Sequence, residues 1–406
     1  MTGLRHGHAT HPDWRMATEL ALAQIEGQRG QAPAGLADGN LGLVYLTDGL
    51  APHAAQILAL LQRRTGIAHW AGTCGQGLVA CGVEYLDEPA ISVMLCALPA
   101  DGFTVFSGTR PPPSVATRTA SGAVAANAAL VHGDPQTPDL VELVEDMAGK
   151  VASGRLFGGI ASGRATALPQ VADRVVFGGL SGVVFASNVD LRMRVTQGCW
   201  PLAAEHVISE CDANLIRGLD GRPALDVLLA DLGVDASVRD SRDGETLLRA
   251  LPASRIRSGL FVGLAAGERP SGGRTAGPRD WVVRNLVGID PRNRLVAVAA
   301  RPTEGDRMVF CTRDAAAARA DLIRVCTELR DEVETEGLAI RGGVYVSCLA
   351  RGQALFGAPS AEVGLVHAQL GTFPLVGFFA NGEIADGQLY GHTGVLTLFV
   401  GPRHGD

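Results

Sequence analysis

No apolar run in this chain reaches the roughly 18 residues needed to cross a bilayer. The longest, Val175 to Ala186, is broken by Gly178, Gly179 and Gly182. The first residues, MTGLRHGHATHPDW, have no apolar signal core, so the expected location is the cytoplasm. The eight cysteines contain no C-x-x-C pair and no compact Cys/His cluster. Neither a zinc knuckle nor a dithiol motif follows, no metal site is expected, and the thiols should be reduced and buried. Lys-rich tracts are also absent, and 35 basic against 42 acidic residues leave a net charge of −7. No clustered positive field is there to hold a nucleic acid. With 19% charged and 47% hydrophobic residues the chain has apolar surface to bury, which excludes disorder. Its 406 residues suggest two to three domains at about 100–200 residues each.

An alternating pattern of helices and strands fills that length. Asp13 to Gln28 reads as a helix, with Trp14, Ala17, Leu20, Ala21 and Ile25 at helical spacing behind an Asp13 cap. Strands follow at Leu41–Leu46, Ile67–Ala71 and Ala90–Leu98, with a helix at Pro52–Arg64 whose Ile57, Leu58, Leu60 and Leu61 face inward. Thr109–Ser121 reads as an extended loop around Pro111, Pro112 and Pro113, and Leu140–Ala148 as a short amphipathic helix. Phe157–Gly163 and Phe177–Gly182 read as Gly-rich turns. Pro223 announces a helix over Ala224–Leu232, and Glu268–Asp280 reads as a mobile loop or lid.

The chain also repeats itself. Gly72–Tyr85, GTCGQGLVACGVEY, aligns without gaps on Gly377–Tyr390, GFFANGEIADGQLY, matching Gly72/Gly377, Gly77/Gly382, Ala80/Ala385, Gly82/Gly387 and Tyr85/Tyr390. Each copy follows a similar strand, Leu43–Thr47 or Gly343–Ser347, and precedes an apolar one, Ala90–Leu98 or Gly394–Val400. The expected fold is therefore α/β: two related halves by internal duplication, each a mixed sheet flanked by helices, with a ligand cleft between them.

Six motifs in order carry a family likeness: His69-Trp70-Ala71-Gly72-Thr73, Gln197-Gly198-Cys199-Trp200-Pro201, Gly218 to Ala224, Arg284 to Asp290, Ser347 to Gly352 and Gly377 to Ile384. Together they resemble the FIST family over about residues 30 to 400. The resemblance implies an N-terminal helical segment at 1–29, a FIST N-terminal module at 30–217 and a C-terminal module at 218–406. It further implies a cytoplasmic sensory protein that binds a small ligand such as an amino acid. Six residues follow Val400 and twelve precede Asp13, so a separate signalling protein is the expected partner, with a homo-oligomer open. Some members of the family bind haem as nitric-oxide sensors, which keeps that cofactor as an alternative.

Glu383 leads the candidate site residues because its repeat partner is Leu78: a carboxylate replaces an apolar side chain in one copy. It suits either the amine of a bound amino acid or general-base work, against the plain alternative of bonding its own turn. Arg351, just past a strand end, suits a bidentate clamp on a ligand carboxylate or equally an ion pair. Cys348 with His392 as base would serve a hydrolase acting on a small amide, lactam or ester, or be an inert thiol. Asn381 and Gln76 share a repeat position and would face each other across a pseudo-two-fold cleft, or form turns. Trp70, Thr73 and Cys74 lie around the first Gly-rich turn, with Trp70 a wall for an apolar ligand. Gln197 and Asn214 enter on the resemblance alone. For haem, His69 leads, with His206 and His367 as alternatives, each against the reading of a hydrogen-bonded core histidine. His6, His8 and His11 read as a solvated terminal run.

Overall fold

The computed structural model describes residues 4–28, 39–108, 126–253, 255, 259–265 and 281–403. The contacts divide the chain into a first unit, residues 1–197 with 319–406, and a second, residues 198–318.

The first unit is built from one motif used three times. The first copy runs β1 (Arg5–Thr10), α1 (Trp14–Gly27), β2 (Leu41–Thr47), α2 (Ala54–Thr65), β3 (His69–Gly75), a hairpin of β4 (Gly77–Ala80) and β5 (Val83–Leu86), and β6 (Ala90–Cys96). The second runs β7 (Phe103–Phe106), β8 (Ala126–Gly133), α3 (Leu140–Gly149), β9 (Arg155–Ile160), a hairpin of β10 (Gln170–Ala172) and β11 (Val175–Val176), and β12 (Leu180–Ala186). The third opens with β13 (Leu191–Gln197), where the chain leaves for the second unit. That unit holds β14 (Cys199–Pro201), β15 (His206–Asp212), β16 (Leu215–Leu219), β17 (Arg222–Pro223), α4 (Ala224–Asp231), α5 (Ala236–Arg239) and α6 (Gly244–Ala250). It continues with β18 (Leu260–Ala265), β19 (Trp281–Asp290), β20 (Leu295–Val298) and β21 (Arg307–Arg313). The third copy then resumes with α7 (Ala315–Thr335), β22 (Leu338–Cys348), α8 (Gly352–Phe356), α9 (Ala361–Leu370) and β23 (Leu375–Ala380). It ends with a hairpin of β24 (Glu383–Ala385) and β25 (Gln388–Tyr390), and β26 (Thr393–Pro402).

Each copy pairs its two helix-linked strands in parallel and lays its last strand antiparallel beside the first, giving mixed sheets. The hairpins are exchanged in a cycle: β4 joins β23, β10 joins β3 and β24 joins β9. Three six-stranded sheets of identical order result. The internal duplication is thus present, and the middle stretch adds a third copy to the two visible in sequence. β2, β6 and β12 are buried throughout, which is why they read as continuous apolar runs rather than alternating ones. Where the sheets meet, the Tyr45 hydroxyl lies 3.2 Å from His132 Nε2, and the Tyr45 ring stacks on Phe378 with centroids 5.3 Å apart.

Local chemistry accounts for most boundaries. The Asp13 carboxylate accepts the Arg15 and Met16 N–H groups and starts α1, and Gly66, left-handed at φ 73°, ends α2. In α1 the buried face is Ala17, Thr18, Ala21, Leu22 and Ile25, while Leu20 faces outward at 44% exposure. Phe157–Gly163 does not form a turn: through Ile160 it is strand β9. Gly158 is needed for approach, since a Cβ there would stand 1.9 Å from the Val131 carbonyl oxygen of β8. In Phe177–Gly182 the turn is confined to Gly178 and Gly179, and Leu180 begins β12. The His6/His8 run is strand β1, paired with β6, so His6 and His8 are half-buried. The expected loops at Thr109–Ser121 and Glu268–Asp280 lie outside the described residues.

The second unit is antiparallel. Strands β21, β15, β16, β20, β19 and β18 pair in succession and β18 returns to β21, closing a barrel. Leu225, Leu228 and Leu229 of α4 pack with Val262, Val296 and Phe310 in its core. Among the described residues no helix is long and apolar enough to cross a membrane.

Candidate functional site

Parallel strands present their carboxyl ends together, and in open α/β sheets ligands bind there. In the third copy that edge holds Cys348 at the end of β22 and Asn381 just past β23. The exchanged hairpin begins there with Glu383, and β26 begins with Thr393. Glu383 is fully buried. Its Oε2 accepts the Thr393 N–H at 3.1 Å and the Thr393 hydroxyl at 2.8 Å, while Oε1 has no hydrogen-bond partner among the described residues. Burial raises its pKa to about 7, against the bonds from Thr393 and Cys348 and the field of Arg351. The Cys348 thiol hydrogen-bonds the Glu383 carboxyl and accepts backbone N–H groups from Ala350 and, at 3.3 Å, His392. Burial first and the Glu383 charge second push this thiol up to about 12. His392 takes a left-handed backbone, φ 62°, uncommon for a side-chain-bearing residue.

Beside this group stands a buried ion pair. Arg351 Nε donates to Glu362 Oε1 at 2.7 Å, and both side chains are 1% exposed. Glu362 also accepts the Tyr345 hydroxyl (2.6 Å), the Ser347 hydroxyl (3.1 Å) and the Gly352 N–H (2.9 Å). The guanidinium lies over the Phe356 ring, 5.3 Å from its centroid, and neither Nη1 nor Nη2 completes a hydrogen bond with a described residue. Burial opposes its charge, but Glu362 and Tyr345 more than compensate, so its pKa is raised. From the first copy, Glu84 of β5 reaches into the third: its Oε1 accepts the Val363 N–H at 2.9 Å in the first turn of α9. Burial raises Glu84 to about 7 as well.

The remaining candidates are dispersed. Asn381 is exposed and its N–H donates to the Ile160 carbonyl at 3.0 Å. Its repeat mate Gln76 donates its N–H to Ser162 Oγ at 2.9 Å. Ser162 holds the same position in the second copy, so the pair belongs to a three-membered set and not to a two-fold cleft. Trp70 is fully buried with its indole N–H on the Ile67 carbonyl, 2.9 Å, and Cys74 sits in the same core with its thiol raised by burial. Thr73 is buried on β3. The Gln197 N–H donates to Asp321 at 2.7 Å. Asn214 lies in the second unit, exposed in the turn between β15 and β16.

Of the histidines, His206 has both ring nitrogens engaged, Nδ1 by Asp220 at 2.6 Å and Nε2 by Asp231 at 3.0 Å, which leaves none to bind iron. His367 is half-buried, its ring edge-on to Phe373. His69 borders a cavity of about 410 Å³ with Asn40, Phe103, Thr104 and Asp173, and Nδ1 lies 3.3 Å from both Asp173 oxygens. A carboxylate so placed orients an imidazole, but a porphyrin requires largely apolar walls, and here Asn40, Thr104 and Asp173 share the lining about equally with Ala100, Phe103 and Val105. Neither His206 nor the cavity beside His69 fits haem.

Glu362 and Glu84 escaped sequence reasoning. An acidic residue in a first helical turn is ordinary, so Glu362 carried no signal. Glu84 did carry one: its repeat mate is Leu389, the same carboxylate-for-leucine asymmetry that singled out Glu383.

Uncharacterized protein MT0656 of Mycobacterium tuberculosis is 29% identical over 414 residues, covering 97% of this chain and 98% of its own length. Uncharacterized protein Mb0898c of Mycobacterium bovis is 29% identical over 413 residues with the same coverage. The FIST N domain matches residues 40–222 and the FIST C domain residues 224–386, domains regarded as small-ligand-binding and sensory. On those two matches, this chain belongs to the FIST family.

Proposed function

We propose that this chain is a cytoplasmic sensory protein whose ligand is an amino acid or a related metabolite, held at the carboxyl edge of the third copy. The observation that carries the reading is a pair of oppositely charged, buried groups that find no hydrogen-bond partner among the described residues: the Arg351 Nη1 and Nη2 donors and the Glu383 Oε1 acceptor. Buried polar atoms without partners are rare in folded proteins. Arg351 is near enough to act electrostatically on Glu383. Two planar donors suit a carboxylate and one carboxylate oxygen suits an ammonium, the two ends of a zwitterion. Exposed Asn381 and partly exposed His392 border the approach. Eight free cysteines favour a reducing compartment, and signal output passes to a separate protein. Calorimetric titration with the common amino acids tests the reading. At least one should bind, and Arg351→Lys and Glu383→Gln should each weaken it about tenfold or more, the loss of one charged hydrogen bond. Unchanged affinity and ligand choice in both variants would remove this site.

A further inference from the structure

The three copies are alike in backbone, so what differs at equivalent positions is informative. At the position of Cys348 the first and second copies carry Thr47 and Asp134, and at that of Glu383 they carry Leu78 and Gln170. Thr47 closes back on its own sheet through the Ala90 N–H at 2.7 Å, and Asp134 holds the Gly178 N–H at 2.9 Å. Only the third copy sets a thiol against a buried carboxyl at this edge.

We propose that Cys348 is a nucleophile that accepts the acyl group of a small amide, lactam or ester, with Glu383 as its proton acceptor. The inference rests on the reading that this edge holds a small ligand. Two features support it beyond the thiol itself. The Glu383 carboxyl, fully buried with one oxygen unpartnered, is hydrogen-bonded to the thiol. Two backbone N–H groups, of Ala350 and His392, already point at the sulfur. His392 is left-handed, φ 62°, as is Asp87 at the equivalent position of the first copy, φ 57°, so the turn that presents its N–H belongs to the repeated frame. Cys348 is 8% exposed, which limits the acyl donor to a small molecule.

At rest the thiol keeps its proton, since burial and the Glu383 charge disfavour the thiolate. On attack, the sulfur forms a bond to the carbonyl carbon and the S–H proton passes to the Glu383 carboxylate. The N–H groups of Ala350 and His392 stabilise the negative charge that builds on the sulfur as its proton leaves. The C–N or C–O bond then breaks, and the departing nitrogen or oxygen takes the proton from Glu383. Water attacks the thioester, its proton passes through Glu383 to the sulfur, and a carboxylic acid leaves with the thiol restored.

The test uses the full chain with p-nitrophenyl acetate, following nitrophenolate release and locating the acetyl group by peptide mass. Cys81, Cys199 and Cys211, more exposed than Cys348, serve as internal references. Cys348 should acylate at least tenfold faster than any of them, with a rate that rises through about pH 7 as Glu383 ionises. Glu383→Gln should slow it about 100-fold and abolish that inflection, in line with the loss of a general base. Acetyl on the reference cysteines but not on Cys348, or a rate that climbs with hydroxide alone and ignores pH 7, overturns the proposal in the wild-type chain, whatever the variant's folding. An amino acid that binds while Cys348 stays unmodified removes the nucleophile and leaves the ligand reading; acylation with no amino acid bound does the reverse.

Discussion

Replacing Glu362 by Ala should be among the most damaging single changes available in the first unit. The carboxylate is 1% exposed in its side chain and accepts four hydrogen bonds, from Arg351, Tyr345, Ser347 and the Gly352 N–H. An exposed ion pair would be worth about 0–1 kcal/mol. Here the guanidinium would be left buried without a counter-ion, which costs about 3–5 kcal/mol. Three further donors would lose their acceptor, and part of that loss adds to the total. A destabilisation of about 5 kcal/mol corresponds to a fall of about 10–20 °C in Tm at this size, read by scanning calorimetry. The paired change Arg351→Met with Glu362→Leu separates charge from hydrogen bonding. It removes both ions, so the charge penalty vanishes, while Tyr345, Ser347 and Gly352 remain unsatisfied. The double variant should therefore recover about half of the lost Tm, because apolar replacement of a buried pair is close to neutral. A single variant within about 1 kcal/mol of wild type, or a double no better than the single, refutes the assignment of a buried, mutually dependent pair.

Two more outcomes follow from the same unit. Glu383 and Glu84 hold their protons to about pH 7 in the native chain against 4.5 when unfolded, so the native state binds more protons between those values and stability falls as pH rises through them. Each contributes about 3 kcal/mol to that fall, so urea unfolding at pH 5 and pH 8 should show a difference that shrinks by about half in Glu84→Gln or Glu383→Gln, and a flat profile would disprove it. Gly377→Ala should leave the chain insoluble or unfolded, since the added Cβ would stand 1.8 Å from the Tyr345 carbonyl oxygen of the neighbouring strand; a soluble variant with native circular dichroism would contradict this.

Gly72 and Gly377 explain why the duplication was legible in sequence. Each is required where two parallel strands approach too closely for a side chain, with distances of 1.7 and 1.8 Å to the facing carbonyl, so both copies keep glycine in the same frame. The second copy obeys the same constraint at Gly158 but was not legible, because Arg164 to Pro169 intervene between its parallel strand and its hairpin. Hairpin exchange left no trace at all. Pairing of β4 with β23 joins positions about 300 residues apart, and the local alternation of β4 is the same whichever sheet receives it. The candidate site was legible in part for a related reason. Glu383 and Cys348 stood out as chemistry inside a repeated frame, whereas Glu362, the centre of the buried network, sits in a helix turn where acidic residues are common.

The exchange also bears on how a site in one copy can influence the rest. Glu84 leaves the first copy to cap α9 of the third, and the strand that carries Glu383 is hydrogen-bonded to β9 of the second. A ligand that recruits Arg351 or Glu383 therefore acts on groups tied to all three sheets. Arg351 is held by Glu362, Glu362 bonds the Gly352 N–H, and Glu84 feels the charge of both Glu362 and Arg351. Coupling of this kind requires differential contacts in two states, and the contiguous carboxylates and guanidinium supply the physical chain along which such a difference would travel. Each exchanged hairpin hydrogen-bonds one copy to the sheet of another, so a ligand bound at the proposed edge of the third copy would act next to a strand that belongs to the second copy's sheet.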